Sequence, residues 1–137
     1  MNAQELMAKA ERAAASARLL LDTGDLEGAC DRSYYAMFNA ARAALIASGS
    51  QVQEDAARTH SGLISAFSLH LVKTEKVSLE YGRALNKVED LRLIADYKGD
   101  PIEPEKAAWA VDQAQEFVQA MRKMFVPEAG SNTRFRQ

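Results

Sequence analysis

The sequence predicts an all-α protein, an up-and-down bundle of four to five helices. The chain is rich in Ala, Leu, Glu, Lys and Arg, which are the residues with high helix propensity. Proline is absent before Pro101, so no proline interrupts a helix in the first part of the chain. Apolar residues recur at three- and four-residue spacing between short polar connectors, which is the pattern of an antiparallel helical bundle.

Local signals bound each predicted helix. Gly24 suits the end of the first helix and Asp25 the N-cap of the second, while Thr59 or Ser61 begins the third. Pro104 suits the first position of the fifth helix. The predicted helices cover residues 3–22, 26–48, 59 or 61 up to a connector at 73–78, 79–97 and 104–124. We therefore expect one helical domain over residues 1–125 and a flexible tail over residues 126–137.

Composition limits the classes of function. The net charge is −2, with 17 basic and 19 acidic residues, so any contact with nucleic acid must come from a few local arginines. The single Cys30 cannot form an internal disulfide, and we expect it to be buried. Charges interrupt the N-terminal region and no apolar run approaches the ~18 residues of a membrane span, so a cytoplasmic protein is expected.

Helix four carries two charged residues near its apolar side. At about 100° per residue, the apolar sector contains Tyr81, Ala84, Leu85, Val88, Leu91 and Ala95. Arg92 lies within about 20° of Leu85, and Asp96 follows one turn later. A charge at the edge of a core must be paired and hydrogen-bonded. The two residues are either a structural ion pair that fixes helix packing or a site whose guanidinium awaits phosphate or RNA.

A polar stripe on helix two is a second candidate site. The stripe comprises Arg32, Tyr35, Asn39 and Arg42. The neighbouring apolar face comprises Cys30, Tyr34, Met37, Phe38, Ala41 and Leu45. Two guanidinium groups, a phenol and an amide supply many hydrogen-bond donors. The stripe is either a solvated face or a ligand-binding surface that meets Arg92, Asp96 and Tyr97, within one chain or across a dimer.

The two histidines do not predict a metal site. His60 and His70 stand ten residues apart, without an acidic companion at metal-ligand spacing. No glycine-rich phosphate loop or nucleophile elbow is present in the sequence, and we expect no cofactor. His60 follows Arg58 at the start of helix three, where it either packs against the helix end or contacts an anion.

Four segments carry a resemblance to a known family. They are "DRSYYAMFNAARAALIASG", "THSGLISAFSLHLV", "LRLIADYKGD" and "EKAAWAVDQAQEFVQAMRKM". The most telling parts are the paired tyrosines of helix two with the Phe and Arg that follow, and the "R…ADY" that ends helix four. From about residue 3 to 125 the chain resembles the HEPN family, the higher eukaryotes and prokaryotes nucleotide-binding domains.

This resemblance implies a helical bundle that often dimerises, encoded beside a minimal nucleotidyltransferase in bacteria or archaea. In many members the bundle is a metal-independent ribonuclease toxin, and the nucleotidyltransferase is its antitoxin. The family's catalytic signature is an Arg followed, four to six residues later, by a His, and two such motifs meet at the dimer interface. The Arg stabilises phosphate charge, and the His transfers a proton.

The present sequence departs from that signature. Arg92 matches the family's Arg, but Asp96 and Tyr97 stand where the His is expected. Neither His60 nor His70 follows an Arg at the required spacing.

Three functions remain open. The first is a module, acting as a homodimer, that binds RNA, a nucleotide or a nucleotidyltransferase in a toxin–antitoxin-like system, through the helix-two stripe, His60 and the Arg92 segment. The second is a metal-independent endoribonuclease toxin with Arg92 as its phosphate clamp. Asp96, Tyr97 or His60 then transfers the proton, although a tyrosine with a pKa of about 10 is a weak base at neutral pH. The third is a non-catalytic scaffold in which Arg92 and Asp96 only set helix register.

Overall fold

The computed structural model describes residues 1–50, 58–95 and 101–128, and in these ranges every regular element is helical. The elements are α1 (Ala3–Asp22), α2 (Leu26–Ala47), α3 (His60–Phe67), a π-helical turn (Ser68–Val72), α4 (Leu79–Leu93) and α5 (Pro104–Phe125). The predicted all-α bundle is confirmed.

Capping side chains fix several helix starts. The Asp25 carboxylate accepts a hydrogen bond from the Gly28 amide at 2.9 Å, and the Thr59 hydroxyl accepts one from the Gly62 amide at 3.0 Å. Each contact satisfies a backbone donor that has no partner within its helix. Gly24 has φ +90°, the left-handed conformation that lets the chain turn directly from α1 into α2. The Thr59 cap fixes the start of α3, and His60 is the first residue of that helix.

Helix α2 is the centre of the bundle. It packs against α1, α3, α4 and α5, and most of its residues are buried. Its alanines and Cys30 allow close approach of the neighbouring helices, and Cys30 is fully buried as expected. Because α2 has neighbours on nearly every side, its buried residues extend around most of the helix and are not confined to a single apolar stripe.

Two aromatic contacts join the later helices to one another. Phe117 of α5 meets Phe67 with ring centroids 5.5 Å apart, and Tyr81 of α4 meets Phe117 edge-on at 5.9 Å. Such offset aromatic pairs stabilise a core beyond their burial of apolar surface. The rings therefore join α3, α4 and α5 at one level of the bundle.

An ion pair fastens α1 to α5. The Arg122 guanidinium donates to both carboxylate oxygens of Glu11, at 3.0 and 2.6 Å. It also donates to the Gln4 side chain and to the Val126 carbonyl, at 2.9 and 3.1 Å. We call Arg122 with these three partners the Arg122 clasp. The Arg122 side chain is only 15% exposed, so the clasp is partly shielded from water.

Several details differ from the sequence expectations. Trp109 of α5 is only half-buried, with the Lys87 ammonium 5.3 Å from its ring centroid. Val126, at the start of the tail that was expected to be flexible, is buried against the core. Its carbonyl oxygen accepts a hydrogen bond from the Arg122 guanidinium. Residues 129–137 of that tail lie outside the described residues, as do Asp96 and Tyr97 at the expected end of helix four. Within the described ranges, no helix combines the length and apolarity needed to cross a membrane.

Candidate functional site

A pocket opens where the first half of α2 meets the start of α3 and the end of α4. Its volume is about 310 Å³. It is lined by Asp31, Arg32, Tyr34, Tyr35, Phe38, Arg58, His60 and Arg92, and we call it the arginine pocket. In the described part of the chain, three guanidinium groups, three aromatic rings and a histidine face one small space, with one carboxylate among them.

The pocket rests on a hydrogen-bonded group formed by three helices. The Tyr34 hydroxyl of α2 lies 2.8 Å from Nδ1 of His60 in α3. The same hydroxyl donates to Oε2 of Glu89 in α4 at 3.1 Å, and that oxygen lies 4.0 Å from His60 Nδ1. Tyr34 is 26 residues from His60 and 55 from Glu89 in the sequence, so only the tertiary fold brings them together. We call these three residues the Tyr34 triad.

Aromatic contacts hold the His60 ring in place. Its centroid lies 5.1 Å from that of Tyr34 and 5.3 Å from that of Phe38. The side chain of His60 is nevertheless 53% exposed, whereas that of Glu89 is only 17% exposed. The His60 ring thus packs against two aromatic rings and is accessible from the pocket, while the Glu89 carboxylate is largely shielded from water.

Arginines stack on the same aromatic rings. The Arg92 guanidinium carbon lies 5.0 Å from the Tyr34 centroid, and that of Arg32 lies 4.4 Å from the Tyr35 centroid. Both distances are within the range of a cation–π contact. Stacking orients each planar guanidinium group over its ring.

The environment keeps the Tyr34 hydroxyl protonated. Burial raises the pKa of Tyr34 well above its usual range, and the nearby Glu89 raises it further, against the opposing effect of Arg92. Tyr34 therefore acts at neutral pH as a hydrogen-bond donor and acceptor and does not act as a base.

The structure brings together four of the residues chosen from the sequence: Arg32, Tyr35, His60 and Arg92 all line the arginine pocket. Two stripe residues lie elsewhere. Arg42 is near the pocket, with its guanidinium carbon 5.9 Å from the Phe38 centroid. Asn39 is buried, and its amide donates to the Tyr35 carbonyl at 3.1 Å in its own helix. Asp96 and Tyr97 are outside the described residues, so their place in the site stays a prediction.

Sequence reasoning missed two members of the Tyr34 triad. It assigned Tyr34 to the apolar face of helix two, which describes its ring but not its hydroxyl. It did not single out Glu89, although Glu89 precedes Arg92 by three residues and so lies on the same side of α4. The spacing of α4 could therefore have placed Glu89 beside Arg92. It could not have shown that His60 of α3 lies next to Glu89.

A larger groove of about 570 Å³ lies between α1 and α5, and it shares no residue with the arginine pocket. Small and amide side chains dominate its lining, and its one arginine, Arg18, is bonded to Asp112 at 2.7 Å and to Gln115 at 2.9 Å. Size alone therefore does not make it the better candidate, because the groups able to perform chemistry converge in the smaller pocket.

Comparisons with known proteins identify the family of this chain. A family model described as "HEPN domain" matches residues 3–124. A UPF0332 protein of Gloeobacter violaceus is 40% identical over 96 residues, covering 70% of this chain and 72% of that protein. A UPF0332 protein of Thermotoga maritima is 35% identical over 111 residues, or 79% of each chain. A Methanocaldococcus jannaschii protein named "Putative toxin" is 31% identical over 120 residues, covering 88% and 86%. The resemblance inferred from the sequence is confirmed, and the chain belongs to the HEPN domain family.

Proposed function

We propose that this protein is a toxin-like HEPN module that binds single-stranded RNA in the arginine pocket. The likeness to two Methanocaldococcus jannaschii proteins named "Putative toxin", 31% and 25% identical, supports the toxin-like part of the proposal. The RNA-binding part depends on the composition and geometry of the pocket.

The observation that carries the proposal is the convergence of three arginines with aromatic rings. Among the residues that the structure describes, Arg32, Arg58 and Arg92 line one pocket with a single carboxylate, Asp31. Guanidinium groups bind phosphate oxygens with two parallel hydrogen bonds, and they do so better than a lysine ammonium. This local cluster supplies the attraction that the overall charge of −2 does not.

The aromatic side chains favour an unpaired strand. Tyr35 is half-buried at the pocket, and bases that are not paired can stack on such rings. A volume of about 310 Å³ is at the lower end of the range for small-molecule sites, so it suits one nucleotide unit of a strand. A duplex would present its stacked bases too far from these rings.

The test is a titration of fluorescently labelled single-stranded RNA of about ten nucleotides, followed by fluorescence anisotropy. We expect saturable binding, weakened roughly tenfold in Arg92→Gln and unchanged in Arg18→Gln, which removes an arginine from the α1–α5 groove. Competition with a free mononucleotide distinguishes a nucleotide site from a strand site. Absence of binding, or a loss in Arg18→Gln alone, would show that the proposal is wrong.

The homodimer and the minimal nucleotidyltransferase partner implied by the family stay predictions. Light scattering of the purified protein would measure its mass against the 15.1 kDa of one chain. Co-purification with a nucleotidyltransferase encoded beside the gene would test the partner.

A further inference from the structure

We infer that a basic cleft between α1 and α2 is a second phosphate subsite, which holds a neighbouring phosphate of the strand bound in the arginine pocket. The cleft has a volume of about 210 Å³. It is lined by Lys9, Arg12, Ala13, Ser16, Arg32 and Tyr35, and we call it the α1–α2 cleft. The inference rests on the proposed RNA binding but goes beyond it, because it adds a site on α1 and gives the direction in which the strand leaves the arginine pocket.

Helical spacing builds the α1 wall of the cleft. Lys9, Arg12, Ala13 and Ser16 recur at three- and four-residue intervals, so their side chains lie on one face of α1. Ala13 is buried, Lys9 and Ser16 are half-buried, and Arg12 is exposed. The small side chain of Ala13 therefore leaves an open space between two long basic side chains and a hydroxyl.

The α2 wall of the cleft is shared with the arginine pocket. Arg32 and Tyr35 line both spaces, so the cleft and the pocket are neighbours. The Arg32 guanidinium carbon lies 4.4 Å from the centroid of the Tyr35 ring, and Nζ of Lys9 lies 6.0 Å from it. Both helices thus place positive charge beside this ring. A strand that passes Tyr35 can therefore place one phosphate in each space.

Carboxylates of α1 are engaged away from the cleft. Glu5 lies one turn before Lys9, at the spacing of an ion pair, but its Oε1 accepts a hydrogen bond from the Asn2 amide at 3.0 Å. Glu11 is held in the Arg122 clasp, which faces α5. Among the residues that the structure describes, no carboxylate lines the cleft. Its positive charge is therefore available to an anion from outside the chain.

The arginines of α1 differ in the same way. Arg18 is bonded to Asp112 at 2.7 Å and to Gln115 at 2.9 Å on the side that faces α5. Arg12 takes part in no ion pair within the described ranges of the chain. Arg18 thus has a structural partner, whereas the Arg12 guanidinium can give its donors to a ligand.

The cleft already favours negative charge at one atom. Hydrogen bonds with the Asn39 and Lys9 side chains lower the pKa of Tyr35 below its usual range, and the charges of Lys9 and Arg32 lower it further, against the opposing effect of burial. A phosphate oxygen beside Tyr35 would meet the same ammonium and guanidinium groups.

The size of the cleft indicates which part of a ligand it takes. A volume of about 210 Å³ is below the roughly 300 Å³ at which small-molecule sites begin, so a whole nucleotide does not fit. A phosphate group is compact, and it accepts two parallel hydrogen bonds from a guanidinium and a point charge from an ammonium. The Ser16 hydroxyl can donate one more hydrogen bond. The next phosphate of a strand held in the arginine pocket has this chemistry, and so does free inorganic phosphate.

A solvated basic face of α1 is the alternative to a subsite. Such a face would attract every anion near the arginine pocket to a similar degree, whatever its length. A subsite instead distinguishes a strand long enough to reach it from one that is too short. The two interpretations are therefore separated by the dependence of affinity on strand length.

The experiment is isothermal titration calorimetry of the full chain with two RNA ligands, a strand of about ten nucleotides and a dinucleotide with a single phosphodiester. At about 100 mM salt, Arg12→Gln should weaken binding of the longer strand about fivefold, because one phosphate contact and about 0.7 of a released counterion are lost. It should leave the affinity for the dinucleotide unchanged, since the one phosphate is held by the three arginines of the arginine pocket.

Three measurements control for charge, folding and salt. Arg18→Gln removes the same charge from the side of α1 that faces α5, and it should change neither affinity. Lys9→Gln should act in the same direction as Arg12→Gln, and circular dichroism should show both variants folded, because surface substitutions of this kind cost little stability. A strand that reaches the cleft should add about −0.7 to the salt slope of the arginine pocket, and Arg12→Gln should remove that addition.

The outcomes separate this inference from the proposed function. If Arg92→Gln weakens binding of the longer strand but Arg12→Gln and Lys9→Gln do not, the subsite is overturned and the proposed function stands. Equal weakening of both RNA ligands by Arg12→Gln also overturns the subsite, because the charge then acts on the arginine pocket from a distance. Absence of RNA binding overturns both proposals. A shift of the Ser16 amide resonance with inorganic phosphate alone, abolished in Arg12→Gln, would in that case identify free phosphate and overturn the strand as the ligand of the cleft.

Discussion

Salt dependence gives the sharpest measure of how RNA is held in the arginine pocket. Each phosphate neutralised on a single strand releases about 0.7 of a counterion, so the logarithm of the binding constant falls linearly with the logarithm of the salt concentration. Three arginines line the pocket, and one phosphate for each predicts a slope of about −2. Raising the salt from about 50 to about 200 mM should then weaken binding by roughly 20-fold.

The assay is an anisotropy titration at fixed pH and several salt concentrations. Arg92→Gln should flatten the slope by about 0.7 as well as weaken binding, since one phosphate contact is lost. Arg18→Gln has the same change in net charge but lies in the α1–α5 groove, so it should leave the slope unchanged. A slope near zero, or one that Arg18→Gln flattens as much as Arg92→Gln, would refute the reasoning.

Three further predictions concern stability. In a double-mutant cycle by urea unfolding, Glu11→Gln and Arg122→Met should show a coupling free energy of about 1–2 kcal/mol. The coupling is reduced because the Glu11 side chain is 41% exposed. Additive effects of the two substitutions would contradict the Arg122 clasp. Burial raises the pKa of the Cys30 thiol from 9.0 to about 11. The contribution of Cys30 to the free energy of unfolding should therefore be constant below pH 9 and fall by about 2 kcal/mol as the pH approaches 11. Cys30→Ala should remove that part of the loss of stability at alkaline pH, and an unaltered dependence of stability on pH would contradict the raised pKa of Cys30. Phe117→Ala should cost about 3–5 kcal/mol, while Leu19→Ala, at a residue 67% exposed, should change the free energy of unfolding by less than about 0.5 kcal/mol; equal costs would contradict the assignment of Phe117 to the core.

The sequence predicted the helices well because their signals are local. Asp25 caps the helix that it was expected to cap, and Pro104 begins α5 as expected. Thr59 caps α3, for which the sequence left Thr59 and Ser61 as alternatives. Such signals depend on a few neighbouring residues and on helical periodicity, both of which can be read from one chain. The Arg122 clasp could not be read in this way, because its carboxylate partner, Glu11, lies 111 residues away.

The site was predicted only in part, for a related reason. Periodicity assigns a side chain to a face of its helix, but it does not say what faces it. Tyr34 was correctly assigned to an apolar face, yet its hydroxyl reaches out of the core to His60 and Glu89. Asn39 was assigned to a polar stripe with Tyr35, but α2 is enclosed by its neighbours, so the amide donates to a backbone carbonyl of its own helix.

Tyr34 belongs to both the core and the pocket, and this has a consequence for how the family could diverge. Its ring is 2% exposed, so a Phe in its place would retain nearly all of the packing and remove only the hydroxyl. A single inherited change from Tyr to Phe would thus remove the contacts to His60 and Glu89 without unfolding the bundle.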